Sequence, residues 1–191
     1  MKDKQLGGVF ARIGVVAIGR NEGERLRRCL DSVVREVVWK VYVDSGSTDA
    51  SVATACAKRV VVLQLDMNIP FTAARARNEG YRHLRDLAPH LAYVQFVDGD
   101  CELSEYWLKR AANYLDEHQS VAAVFGRLRE KYPTQSIYNM LCDIEWDSPI
   151  GESKSCGGIA MIRPGALESV HGHRADLIAG EEPELRVRLR A

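Results

Sequence analysis

The sequence predicts an α/β domain built on a mostly parallel sheet. Short apolar runs alternate with segments of helical spacing along most of the chain. The runs are continuously apolar, as in strands buried on both faces. Several of them end in carboxylates, and ligands of such folds bind just outside the carboxyl ends of the strands.

Val15-Val16-Ala17-Ile18 is the first expected strand, followed by the turn Gly19-Arg20-Asn21. Asn21 is placed to cap the next helix, with Glu24 three residues on in a capping-box arrangement. Leu26, Cys29, Leu30, Val33 and Val34 then form one apolar helical face. Val41-Tyr42-Val43 is a second strand ending at Asp44, Asp49 starts a helix through Val52, Ala53 and Cys56, and residues 60–65 form a third strand. Thr72 opens a helix with Ala73, Ala76, Gly80, Tyr81 and Leu84 on one side, and Pro89 follows its end. Residues 93–97 form a strand, Ser104 caps a helix with Leu108, Ala111, Ala112 and Leu115 inward, and residues 121–125 form a further strand. Residues 127–149 read as polar and irregular, with no assignable fold. A glycine hinge and strand follow at residues 156–162, and Gly180-Glu181-Glu182-Pro183-Glu184-Leu185 opens a last helix. The expectation is one domain, with residues 1–126 as a nucleotide-binding half and 127–191 as an acceptor-facing half.

Composition narrows the function classes. The chain has 191 residues, 26 basic and 26 acidic, enough for one sizeable core. Balanced charge gives no basis for polyanion binding, so no nucleic-acid partner is expected. The five cysteines, Cys29, Cys56, Cys101, Cys142 and Cys156, fit neither a zinc pattern nor a disulfide framework and are read as reduced, mostly buried thiols. No apolar run approaches the ~20 residues that cross a bilayer. The charged start Met1-Lys2-Asp3-Lys4-Gln5 is no signal peptide. The expected location is cytoplasmic, with peripheral contact at the inner membrane face left open.

Four motifs carry chemistry. Asp98-Gly99-Asp100 ends a strand with two carboxylates, a donor set for a hard divalent cation that keeps its phosphates and waters. Oxygen-only ligands point to magnesium or manganese, not zinc. The same triplet also occurs in ordinary capped turns. Asp44-Ser45-Gly46-Ser47-Thr48-Asp49 places a carboxylate at a strand end, where it can accept from a base N–H or a ribose hydroxyl, or can serve turn chemistry alone. Arg75 and Arg77 lie in the first turns of a helix; two apart, they cannot share a face, and Arg77 is the one expected at a phosphate or base. Glu181-Glu182-Pro183-Glu184 supplies a general base of suitable type, or simply the acidic start of a helix. His171 and His173 are candidates for a third metal ligand or ordinary loop histidines. Tyr132, Tyr138 and Trp146 are candidates to stack on a sugar ring or to be buried in packing. Neither GxGxxG nor GxxxxGK[ST] occurs.

Taken in order, the strand Val15–Ile18 with Asn21, the Asp44–Asp49 segment, Arg77-Asn78-x-Gly80, Asp98-Gly99-Asp100, Cys156-Gly157-Gly158, and Glu181-Glu182-x-Glu184-Leu185 with Arg188-Leu189 resemble family 2 glycosyltransferases of the GT-A fold. The resemblance covers nearly the whole chain. It implies a Rossmann-like three-layer α/β/α sandwich and a nucleotide-diphospho-sugar donor. It also implies Mg2+ or Mn2+, inverting transfer to a saccharide, lipid-linked or other hydroxyl acceptor, and a setting in cell-surface polysaccharide or glycolipid synthesis. By position it puts Asp44 on the nucleoside, Arg77 near the base or phosphates, Asp98 at the ribose and metal, and Asp100 on the metal. Glu182 takes the base position, with Glu181 beside it. Ala17, Ile18, Asn21, Ser45, Gly99, Gly157 and Gly158 complete the nucleotide-sugar contacts.

The sequence departs from the family pattern at three places. Ser45 stands where a second aspartate is usual, and Glu182 stands where an aspartate is usual. The chain stops at Leu189-Arg190-Ala191 inside a helix, so a C-terminal truncation is expected. A catalytically silent sugar-nucleotide-binding domain and a sugar nucleotidyltransferase are the competing readings.

Overall fold

The computed structural model describes residues 6–33, 35, 37–152 and 158–190. The chain runs α1 (Leu6–Phe10), β1 (Ile13–Gly19), α2 (Glu24–Ser32), β2 (Trp39–Asp44), α3 (Ser51–Ala57), β3 (Val61–Gln64) and α4 (Ala73–Leu87). It continues with β4 (Tyr93–Asp98), α5 (Trp107–Glu117), β5 (Ala123–Val124), α6 (Ile137–Glu145), β6 (Met161–Ile162), α7 (Pro164–Ser169) and α8 (Glu181–Arg190).

Six strands form one sheet in the order β3-β2-β1-β4-β6-β5. β1 is parallel to both β2 and β4, and β2 to β3. β6, inserted between β4 and β5, is antiparallel to both. Alternation along β1 sends Ile13, Val15 and Ala17 into one core with residues of α2, α3 and α5. Val16 and Ile18 enter the other core, with α4, Leu167 of α7 and Leu185 of α8. Helices on both faces of a mostly parallel sheet make the three-layer α/β/α sandwich that the family resemblance implies.

Register aligns the strand ends. Gly19 of β1 sits opposite Asp44, and Ile18 opposite Asp98. Three carboxyl ends therefore open side by side, beside the switch point between β1 and β4, where the strand order reverses. α4 is held close to this edge by its composition. Thr72 caps it, its hydroxyl accepting from Arg75 N at 3.0 Å. A Cβ on Gly80 would stand 2.5 Å from Val16 Cγ1 and 2.7 Å from Val43 Cγ2, so only glycine lets the helix lie this near β1 and β2. Arg77, one turn earlier, is thereby set against the strand ends.

Several local expectations are corrected. Asn21 does not cap α2: the N-cap is Gly23, with no side-chain bond. Asn21 takes a left-handed φ of 57° and turns its side chain to accept from Thr48 N at 2.7 Å. The turn leading into α2 is held from another helix, because the buried Ser51 hydroxyl accepts from Glu22 N and Gly23 N, each at 3.1 Å. α3 starts at Ser51 rather than Asp49, and α5 at Trp107 with Tyr106, not Ser104, as N-cap. β3 and β5 are shorter than the apolar runs that predicted them. α1 and α7 were not expected.

The supposedly irregular stretch contains α6, capped by Ser136. None of its residues is buried. Its polar side faces the protein: Asp143 accepts from Arg129 Nε and Nη2, each at 2.7 Å, and Asn139 donates to Glu130 at 3.1 Å. Its apolar Ile137, Leu141 and Ile144 face solvent. Tyr132, Tyr138 and Trp146 are likewise exposed rather than packed. The thiol expectation is also corrected: the four described cysteines are free, but Cys29 alone of them is buried. Val34, Cys156 and Gly157 lie outside the described residues. No helix among the described residues is long and apolar enough to cross a membrane.

Candidate active site

Arg77 is the centre of the site. It is 3% exposed, and its two terminal nitrogens reach three carboxylates. Nη2 donates to Asp98 Oδ1 at 2.9 Å and Nη1 to Glu181 Oε1 at 3.0 Å, with Glu182 Oε1 3.2 Å from Nη1. One guanidinium thus gathers the end of β4 and the start of α8, residues far apart in sequence. The neighbouring Asn78 fastens the same join: its Nδ2 donates to His173 O at 2.7 Å and its Oδ1 accepts from His173 N at 2.9 Å. Arg75, pointing elsewhere, donates to Asp66 O and Ile69 O and ties down the loop before α4.

Three carboxylates around one arginine leave the cluster net negative. Burial raises the Asp98 carboxyl above its ordinary value, against the opposing pull of Arg77. Burial also raises Glu182, again opposed by Arg77, with Glu181 adding like-charge repulsion. A carboxylate held above its usual range is the type that a general base requires.

Gly158 closes the cluster. A Cβ there would stand 2.2 Å from both Arg77 Nη2 and Asp98 Oδ2. At Gly99 the N–H donates to Ile18 O at 2.7 Å, and a Cβ would stand 3.0 Å from that oxygen, fixing the turn against β1. Ala17 and Ile18 are buried in the adjoining strand end. Asp100 lies beyond the turn and is exposed, accepting from Cys101 Sγ at 3.3 Å. Among the described residues no group of three or more His, Cys, Asp or Glu side chains could enclose a metal ion. Asp98 and Asp100 are two hard oxygen donors at one turn, which fits a divalent cation completing its shell from phosphates and water.

On the β2 side, Asp44 is 2% exposed and engaged in its own turn. Its Oδ2 accepts from Gly46 N at 3.1 Å and Ser47 N at 2.8 Å, and Oδ1 accepts from Tyr42 at 3.1 Å. Ser45 N donates to Gly19 O at 3.0 Å, and Asn21 N donates to Ser47 Oγ at 2.9 Å. The Asp44 segment and the turn after β1 are thus zipped into one wall.

Glu22 was missed in the sequence. Its Cγ would lie 3.1 Å from a Cβ on Gly99. Burial raises its carboxyl, Arg25 opposes, and the charge of Asp100 raises it further. The available signal was positional: like Asp44 and Asp98, it follows the carboxyl end of a parallel strand. Of the two histidines, His171 is exposed. His173 is buried edge-on to Phe96 with ring centroids 5.3 Å apart, and among the described residues both of its ring nitrogens lack hydrogen-bond partners.

Burial, with help from the charges of Arg77 and Arg188, lowers His173 from 6.5 to about 3. Between these values the unfolded chain binds more protons than the folded one. The contribution of His173 to stability is therefore full above about pH 6.5 and is lost as pH falls toward 3. His173→Phe should flatten this acid limb in urea unfolding followed across that window. An unchanged limb would assign it to other groups.

The family model for glycosyl transferase family 2 matches residues 15–165. The chain belongs to glycosyl transferase family 2. It is similar to a TPR repeat-containing protein of Synechococcus elongatus, 32% identical over 127 residues, which are 66% of this chain and 29% of that protein. Among solved structures it resembles a Pyrobaculum calidifontis mannosyltransferase in complex with GDP-Man and Mn2+, with TM-score 0.65 and 21% identity over 93% of this chain and 51% of that one. It also resembles the Mycobacterium tuberculosis glucosyl-3-phosphoglycerate synthase in complex with Mn2+, UDP-glucose and glycerol 3-phosphate. There the TM-score is 0.56, with 17% identity over 89% of this chain and 64% of that one. These likenesses establish the GT-A type of Rossmann-like fold.

Proposed function

We propose that the domain is a metal-dependent, inverting glycosyltransferase that moves a sugar from a nucleotide-diphospho-sugar to an acceptor hydroxyl. The observation that carries this reading is the join at Arg77, which brings Glu182 of α8 beside Asp98 of β4 at the strand ends. The family membership and the nucleotide-sugar complexes of the structural neighbours support it.

In this reading the wall formed by Asn21, Asp44 and Ser45 faces the nucleoside, with Ala17, Ile18 and Gly99 under it. Gly158 lets the backbone approach the sugar. Asp100 and Asp98 would hold magnesium or manganese, whose chemistry there is to neutralise charge on the leaving diphosphate. Glu182 takes the proton of the acceptor hydroxyl as that oxygen attacks the anomeric carbon from the face opposite the leaving group. One displacement inverts the centre. Arg77 has a different task from the phosphate contact expected of it: it positions the base and supplies its counter-charge. The acceptor is a saccharide, lipid-linked or other hydroxyl compound, in a setting such as surface polysaccharide or glycolipid synthesis.

A thermal-shift screen of sugar nucleotides with and without manganese tests the reading. The preferred donor should raise the melting temperature more with metal than without. Asp100→Ala should lose the metal-dependent part while melting as wild type without ligand. Full retention of that part in Asp100→Ala would sink the metal assignment. The ion pair at Glu182 also favours a second reading, a domain that binds donor without turnover. Calorimetric donor binding with no nucleoside diphosphate released would decide for it.

A further inference from the structure

A groove of about 1080 Å³ runs along the β5 edge of the sheet, between α5 and α8. Among the described residues four arginines line it, Arg110, Arg127, Arg186 and Arg190, with Glu152 as the one carboxylate. The chain as a whole has no net charge, so this is a local concentration. Arg127 pairs with Asp147, and Arg190 with Glu152 at 2.7 Å. Among the described residues Arg110 and Arg186 have no carboxylate partner, and Arg186 Nε is shielded from water without an acceptor. A guanidinium nitrogen left dry and unpaired is costly unless an anion completes it. Trp107 and Tyr114 add flat apolar surface beside the charges.

α8 connects the groove to the proposed base: Arg186, Leu189 and Arg190 line the groove, and Glu182 lies one turn before Arg186. Glu182 and Arg186 are four apart on α8 and share a face, about 6 Å apart along the axis. We propose that the groove holds the phosphate of a phosphate-bearing acceptor, so that its hydroxyl meets Glu182; this rests on the transferase reading. Forked guanidinium donors match phosphate oxygens in pairs. The volume suits a sugar phosphate with room to spare.

Calorimetry on the full chain tests this with a hexose 6-phosphate, the parent hexose and inorganic phosphate. The hexose phosphate should bind at least tenfold more tightly than the hexose, and more weakly as salt is raised. The double variant Arg110→Gln/Arg186→Gln should lose at least tenfold in affinity for the hexose phosphate. Arg110→Gln alone, an exposed change, should lose part of it and serves if the double variant does not fold. Equal binding of hexose and hexose phosphate, or wild-type affinity in the variants, overturns the site. With a sugar nucleotide that binds the wild-type chain, the hexose phosphate should also speed release of nucleoside diphosphate. Binding without such acceleration overturns the acceptor role. Sugar-nucleotide binding by the wild-type chain is measured in parallel: its absence refutes the transferase reading, whereas its presence without phosphate binding refutes only the groove.

Discussion

Arg77→Met is expected to lower stability by about 3–5 kcal/mol, the range for removing one partner of a buried ion pair. For a chain of this length that is a fall in melting temperature on the order of 10 °C. The reason is the imbalance the substitution creates. Asp98, Glu181 and Glu182 all lean on this one guanidinium, and Glu181 is itself buried. Without Arg77 the cluster holds like charges with no counter-ion, and the carboxyls that burial already raises move higher still. The pH dependence follows. A carboxylate whose folded value is raised binds more protons in the folded state, so its stabilising contribution is present in acid and is lost as pH rises through the raised value. The deficit of Arg77→Met should therefore be smallest near or below the ordinary values of 3.8 and 4.5 and widen as pH rises above them. Arg77→Lys should recover only part, because a single ammonium cannot serve both sides of the fork. Denaturant unfolding at several pH values checks this, and a deficit that does not vary with pH would mean that packing, not charge, holds the site.

The second large effect is on chemistry. Glu182→Gln should reduce sugar transfer about 10²–10⁴-fold, the usual contribution of a general base, while donor binding stays near wild type. Glutamine keeps the shape and a hydrogen-bond acceptor for Arg77 but cannot take the acceptor proton at neutral pH. Transfer assayed beside calorimetric donor binding separates the two effects. Unchanged transfer would move the base to Glu181 or to another group. Equal loss of both would make Glu182 a structural residue of the cluster.

The parallel half of the sheet was legible because its strands are continuously apolar and end in turn-forming polar residues. β4 and Asp98-Gly99-Asp100 are the plain example, and Thr72 is a cap that the structure retains. What could not be read depends on partners remote in sequence. The turn before α2 is held by Ser51 of another helix, so Asn21, the local candidate, was free for other use. α6 was invisible because its apolar residues face outward and its polar ones inward, the reverse of the pattern that reports a core-facing helix. Helical geometry says only that Arg75 and Arg77 cannot share a face, and Arg77 is preferred as the neighbour of Asn78; its role could not be read, since nothing local says that Glu181 and Glu182 fold back onto it. Glu22 was overlooked for lack of a second aspartate-like motif around it.

The paired hydrogen bonds between Asn78 and the backbone of His173 set the order in which the site assembles. They join positions 95 apart in the chain, and the neighbouring Arg77–Glu181 bond spans 104. Closing loops of that length costs chain entropy that only later contacts offset. The β1–β4 pair spans almost as much chain, from Ile13 to Tyr93, but is held along a continuous register of six residue pairs, so it can form first, with α8 docking onto it as the closing step. The reverse step is then the cheapest local opening. Amides of α8 should exchange with solvent sooner than those of β1 and β4, and a ligand bridging Asp98 and Glu182 should slow them selectively.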